Sequence, residues 1–158
     1  MAFQIKKEGT DWILTWQLAS QLSTSEVWSV IATTEGFQKW FTELQMLDNH
    51  EAIRFFSKEP YFEEIMHLLH YQPHEKISYE WDCGTVTFEI ALDNEIVKLF
   101  FYERLPENFP NRMNDMAGWL VKKEMLAALL NRREVGADFN HAQFVEKLRQ
   151  EVEKLAIS

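Results

Sequence analysis

Three histidines, His67, His70 and His74, lie within eight residues of one another, and histidine is the commonest protein ligand for transition metals. His67 and His70 are three apart, so on a strand they point to opposite faces. A zinc site built from them would need ligands from elsewhere, and surface or edge histidines are the plainer reading. Glu63 and Glu64 are adjacent carboxyls in YFEEIMHLLHY. Strand alternation groups Glu64 with Phe62, Met66 and Leu68, and Glu63 with Ile65 and Leu69; a solvated outer face is the expectation for these acids. Arg54, between Ile53 and Phe55, would hold a ligand carboxylate if it faced inward, and is expected to face outward. Lys123 interrupts the oily stripe of GWLVKKEMLAALL. Either it snorkels out along its stem, or its ammonium enters the interior and meets an acid; buried lysines are rare, which favours the first. Tyr79 and Trp81 can stack on a flat ligand or donate one hydrogen bond, or simply fill a core.

Catalytic signatures are thin. The sequence has no Ser-His-Asp frame, no glycine-rich phosphate loop and no cofactor fingerprint. Cys83 is the only cysteine, so neither an internal disulfide nor a multi-cysteine zinc site can form. No catalytic residue, metal or cofactor is assigned, and an enzyme is not the expectation.

The chain of 158 residues is long enough for one domain with a sizeable core. Hydrophobic residues make up 46% and aromatics 14%, which argues against disorder. Twelve phenylalanines and six tryptophans require either a dense core or a lined cavity. A formal net charge of −9 argues against a general nucleic-acid binder and against docking on an anionic membrane. No apolar run approaches the length of a membrane span. The start, MAFQIKKEGTDW, lacks the pattern of a secretory signal, so a cytoplasmic location is expected.

The apolar spacing sets out the elements. WILTWQL alternates Trp12, Leu14, Trp16 and Leu18 on one strand face. In STSEVWSVIATTEGFQKWF, Ser23 or Thr24 can cap a helix, with Glu26 placed to close a capping box. Gly36 separates that helix from a second short one carrying Phe37, Trp40 and Phe41. Residues 44–71 read as two or three strands centred on AIRFF and YFEEIMHLLHY. KISYEWD, TVTFEIAL and EIVKLFFYERL alternate strictly. Two-residue turns at Cys83-Gly84 and Asp93-Asn94 would pair Trp81 with Val86, Tyr79 with Phe88, Ile77 and Val97 with Ile90, Leu99 with Phe88, and Phe101 with Val86. That register gathers the apolar residues on one face and sets Glu89 opposite Lys98. After the turn-rich LPENFPNR, a long helix runs over 113–132. Gly136 ends it, and Asp138 caps a last helix with Phe144 or Val145, Leu148, Val152 and Leu155 on one side. The order of elements predicts an α+β fold with one antiparallel sheet covered by the long helix.

Three stretches, in this order, resemble the START-like helix-grip superfamily (SRPBCC, Bet v-like). They are Val27-Trp28 in the first helix, Trp40-Phe41 after the second, and Gly118-Trp119 followed by Leu126 and Leu130. The last is similar to the branch related to the activator of the heat-shock chaperone ATPase. The resemblance spans roughly residues 10–131 and implies a curved antiparallel sheet of six or seven strands gripping the long helix, after one strand and two short helices. Residues 1–136 would form that domain and residues 137–158 an additional amphipathic helix. Gly118 would let the helix backbone approach the sheet or the preceding loop closely, and Trp119 would lie across the concave face. The family usually carries a leucine where Lys123 stands, so this position departs from the pattern.

The resemblance implies an apolar cavity between sheet and helix. The expected function is non-catalytic binding of a small hydrophobic molecule, with the cavity bounded by Trp28, Phe41, Phe55, Met66, Tyr79, Trp81, Phe88, Leu99, Met116 and Trp119. An alternative is a regulator that docks on a chaperone or another protein. A cyclase- or aromatase-type enzyme, with Lys123, Arg54 or Glu64 inside the pocket, ranks last. Monomer and homodimer both remain open.

Overall fold

The computed structural model of the chain describes residues 2–134 and 140–157. Its strands are β1 (Gln4–Glu8), β2 (Asp11–Ser20), β3 (Leu44–Met46), β4 (Ala52–Lys58), β5 (Tyr61–Gln72), β6 (Lys76–Trp81), β7 (Gly84–Asp93) and β8 (Ile96–Leu105). The helices are α1 (Thr24–Ala32), α2 (Thr34–Phe37), α3 (Arg112–Leu130) and α4 (His141–Ile157). The strands form one antiparallel sheet in the order β1-β2-β8-β7-β6-β5-β4-β3. The fold is therefore α+β with eight strands rather than six or seven, and two strands rather than one precede α1. The extra one, β1, reads QIKKE and is mostly exposed. As a polar edge strand it has no apolar alternation to announce it.

The meander β6-β7-β8 forms, but two residues out of the expected register. Trp81 pairs with Gly84, Tyr79 with Val86 and Ile77 with Phe88; Ile90 pairs with Leu99, and Phe88 with Phe101. The turns sit at Asp82-Cys83 and Asn94-Glu95. Asp82 has φ +54, and Asn94 and Glu95 have φ +50 and +67. Positive φ is what two-residue hairpin turns demand, and Asp and Asn tolerate it best. A shift of two preserves the faces, because side chains alternate with period two. The Glu89–Lys98 pair is lost: Lys98 Nζ binds Asp93 Oδ2 at 3.1 Å, and Glu89 stands opposite Lys76.

Ser23 caps α1 with a full capping box: its Oγ accepts from Glu26 N at 3.2 Å, and its N donates to Glu26 Oε1 at 3.1 Å. The break between α1 and α2 falls at Thr33, whose hydroxyl accepts from Gly36 N at 3.0 Å, and not at Gly36. Gly36 has a different reason to be small. A Cβ there would collide with the carbonyl oxygens of Ser29 and Val30.

Both ends of α3 are tied to β2. At its start, Arg112 donates to Thr10 O at 2.8 Å and lies 4.0 Å over the Trp12 ring. At its end, Leu130 O accepts from Ser20 Oγ at 2.9 Å and Gln21 N at 3.0 Å, and Asn131 donates to Ala19 O. Between these anchors Met116, Trp119, Leu120, Lys123, Leu126 and Leu130 form its buried stripe. Phe144 and Leu148 of α4 join the same core. Gly136 and Asp138, read as helix breaker and cap, lie outside the described residues, as does the expected boundary at 136.

Candidate functional site

Trp119 is the hub of the interior. It is 2% exposed, with ring centroids of Trp81 and Phe101 at 5.0 Å, Phe41 at 5.5 Å and Phe88 at 6.0 Å. Gly118 does not have the role expected of it: a Cβ there would meet nothing within 4 Å. The close approach of α3 is made by the tryptophan and by the ties at the helix ends.

Of the ten expected lining residues, Phe55, Met66 and Trp81 meet around a recess of about 160 Å³, completed by Phe62, Glu64 and Asp82. Phe41 and Trp119 back Trp81. Tyr79, Phe88, Leu99 and Met116 are fully buried in the core cluster. Trp28 sits apart from the recess, its ring edge-on to Tyr71 and His74. The recess is small beside the roughly 300–1,000 Å³ that holds a drug-sized ligand. A wider hollow of about 670 Å³ lies on the other face, lined by Phe3, Thr15, Gln17, Glu89, Phe100 and Tyr102 among others.

Glu64 corrects the outer-face expectation. It shares the inward register with Met66 and lines the recess, and partial burial, with the charges of Asp82 and Glu80, raises its pKa. Arg54 lies on the other face, held by Glu63 through Nε at 2.9 Å and stacked 4.2 Å over Phe56. Lys123 does not snorkel out as expected: its whole side chain is buried in the stripe, and its ammonium meets Glu124 Oε1 on the same helix at 3.5 Å. Its neighbour Lys122 is the cation near the aromatic cluster, 4.5 Å over Phe41, its pKa lowered by burial against the charge of Glu43.

The histidines diverge. His67 Nδ1 meets Glu80 Oε1 at 2.8 Å, and His70 faces Gln72. A bulge between Leu68 and His70 resets the alternation, so His67 and His70 are both exposed rather than on opposite faces. Among the described residues no group of three His, Cys, Asp or Glu side chains is placed to hold a metal.

The sequence reading missed the most unusual group. Glu103 lies on the inward register of β8, after Val97, Leu99 and Phe101 and before Leu105, and is fully buried. Its neighbour across the interior is Asp115, in the first turn of α3. Asp115 Oδ1 accepts from Trp81 Nε1 at 2.7 Å. Both oxygens of Glu103, Asp115 Oδ2, the Tyr79 hydroxyl and Trp119 Nε1 are buried, and with both acids ionised none of these atoms would be satisfied; a proton shared between Glu103 and Asp115 pairs the two acids. Burial drives the Glu103 pKa well up; the charge and approach of Asp115 add to this, and the Trp119 indole opposes it. Burial also raises Asp115, while Glu103 and the Trp81 N–H pull it down. The shared proton therefore belongs on Glu103, and Asp115 is the charged partner. Burial pushes the Tyr79 phenol up. Continuing the alternation of β8 two residues beyond Phe101 would have shown an acid at a core position.

An eight-stranded antiparallel sheet with a long helix across one face defines the class of fold. No family model matches the chain, and no curated protein does. Solved structures are similar in fold. One is a conserved protein of unknown function, EF2215, from Enterococcus faecalis, at 23% identity over 97% of this chain and 91% of that one, TM-score 0.87. A second is CalU16 from Micromonospora echinospora, at 14% identity, 99% and 97% coverage and TM-score 0.66. A third is the Aha1 dimer from Colwellia psychrerythraea, at 14% identity, 75% and 96% coverage and TM-score 0.57. At these identities the likeness is one of fold. No helix among the described residues is long and apolar enough to cross a membrane.

Proposed function

We propose that this protein binds a small, largely apolar molecule between the sheet and α3 without transforming it. The arrangement is read as the helix-grip, with residues 1–136 as the grip and α4 as an addition. The entrance is the recess at Phe55, Met66 and Trp81. The observation that carries the reading is the group of buried polar side chains behind it, the proton-sharing acids Glu103 and Asp115 with the Tyr79 hydroxyl left without a partner. Such a partnerless atom costs about 1–3 kcal/mol in a closed core. One or two convergent polar groups in an apolar interior are what orient a bound ligand. Affinity would come from apolar burial, at about 25 cal/mol per Å² before the cost of immobilisation.

Native mass spectrometry of the protein purified without denaturant tests this. A mass adduct released on acid denaturation is expected, together with a rise in Tm when the released compound is added back. A bare mass in every preparation, with no Tm response to a panel of neutral aromatic and fatty compounds, would refute the reading.

Docking on a partner protein is the second reading. It is favoured by Tyr61, Ile65 and Leu69, exposed along β5 at 73%, 42% and 55%, and by the likeness to the Aha1 dimer. Affinity capture with the wild type and an Ile65→Lys/Leu69→Lys variant tests it. Recovery of the same background proteins by both would count against it.

A further inference from the structure

We propose that the molecule taken by the recess is a cation, an amine or quaternary ammonium borne on a small apolar group. This rests on the ligand-binding reading and names the chemistry of that site. The walls are aromatic and mutually tilted. Phe55 and Phe62 stand at 89° with centroids 5.3 Å apart, and Phe55 and Trp81 at 60° and 5.8 Å. Rings tilted against one another around one small volume offer faces as well as edges, and a ring face attracts a positive charge through its quadrupole. The other wall atoms belong to Met66 and to two acids, Glu64 and Asp82.

No basic residue is among those lining residues. Arg54 and Lys122 are engaged elsewhere, Arg54 by Glu63 on the opposite face and Lys122 over Phe41. Lys122 shows that a face of this same aromatic cluster accepts an ammonium. An anion would meet Glu64 and Asp82 as like charges, and a neutral molecule would gain only the aromatic contact.

Behind the recess lies a buried acid pair, Glu103 and Asp115, which share one proton. The Trp81 indole donates to Asp115 Oδ1 at 2.7 Å, so the aromatic wall of the recess is fixed from behind by this acid pair. The volume of about 160 Å³ suits a head group or one ring rather than a larger body.

Three probes of matched size separate the alternatives: phenethylamine, which is cationic at neutral pH, phenethyl alcohol and phenylacetate. Titration is followed by tryptophan fluorescence, since Trp81 forms a wall. At low salt phenethylamine should bind at least about tenfold more tightly than the alcohol, and phenylacetate most weakly. Glu64→Gln, a change at the solvent-reached rim, should weaken the amine by about three- to tenfold and leave the alcohol unchanged. If the alcohol binds as tightly as the amine, or Glu64→Gln weakens both equally, the cation proposal is overturned while small-molecule binding stands. If none of the three binds at millimolar concentration, the recess is not a site and both readings fall.

Discussion

Replacing Glu103 with glutamine keeps the side chain's shape and removes its proton equilibrium. The folded protein holds Glu103 protonated, chiefly because it is buried and also because Asp115 is charged beside it. In the unfolded chain the same carboxyl ionises near its ordinary value of about 4.3. A raised folded-state pKa means that the stability tied to this group is fully present below the unfolded value. It is then lost as pH rises towards the folded value. Across that interval the wild type loses about 1.4 kcal/mol for each pH unit. Glu103→Gln loses nothing, and its amide N–H can take over the donation to Asp115. The stability of the variant relative to the wild type should therefore climb by about 1.4 kcal/mol from pH 5 to pH 6. With a urea m-value of about 2 kcal/mol/M for a small domain, that is a relative midpoint shift of about 0.7 M. Urea unfolding at a series of pH values, followed by tryptophan fluorescence, reads it directly. The other acids titrate alike in both proteins and cancel in the difference. A difference that stays constant from pH 4 to pH 7 would show that Glu103 ionises normally, and the account of the buried pair would be wrong.

Gly118→Ala should stabilise the protein by up to about 1 kcal/mol, because the position is helical and a methyl group there meets nothing within 4 Å; a fall in Tm would show a hidden contact. Trp81→Phe keeps a ring in place but removes the 2.7 Å donor to Asp115. The loss should be about 1–3 kcal/mol at pH 7 by urea titration, and an unchanged midpoint would mean that the bond contributes nothing. Lys123→Leu places an apolar branch where the lysine stem is already buried and gives up only the 3.5 Å contact with Glu124. Exchanging a buried ammonium for an apolar side chain that fills the same space is neutral or stabilising, so stability should be equal or higher. A loss beyond about 1 kcal/mol in chemical denaturation would reveal an interior partner for the ammonium.

Much of the fold was legible in the residues, because local rules set it. The capping box at Ser23 and Glu26, the strict alternation of β6, β7 and β8, and the three- and four-residue spacing of α3 each draw on neighbours along the chain. Their outcome depends little on what packs against them. The inward face of the meander survived a two-residue error in register for the same reason: parity along a strand is local. Pairing is not. Local preference favoured Gly84 for positive φ, yet the turns fall at Asp82 and at Asn94-Glu95, and only the closed sheet selected them.

The site was harder to see because it depends on distance between elements. Strand alternation placed Glu64 with Met66 but could not say which face was inward; packing against α3 and Trp81 decided that. His67 and His70 came to one side through a bulge with no sequence mark. Glu103 and Asp115 are twelve residues apart, on a strand and a helix; the alternation of β8 marks Glu103 as inward, but nothing local to either segment brings them together. The residue types and their periodicity decided which side chains turn inward. Only the tertiary structure, by laying α3 across β8, brought two carboxyls together out of water, and burial of a charge is a property of what surrounds a residue and not of the residue itself.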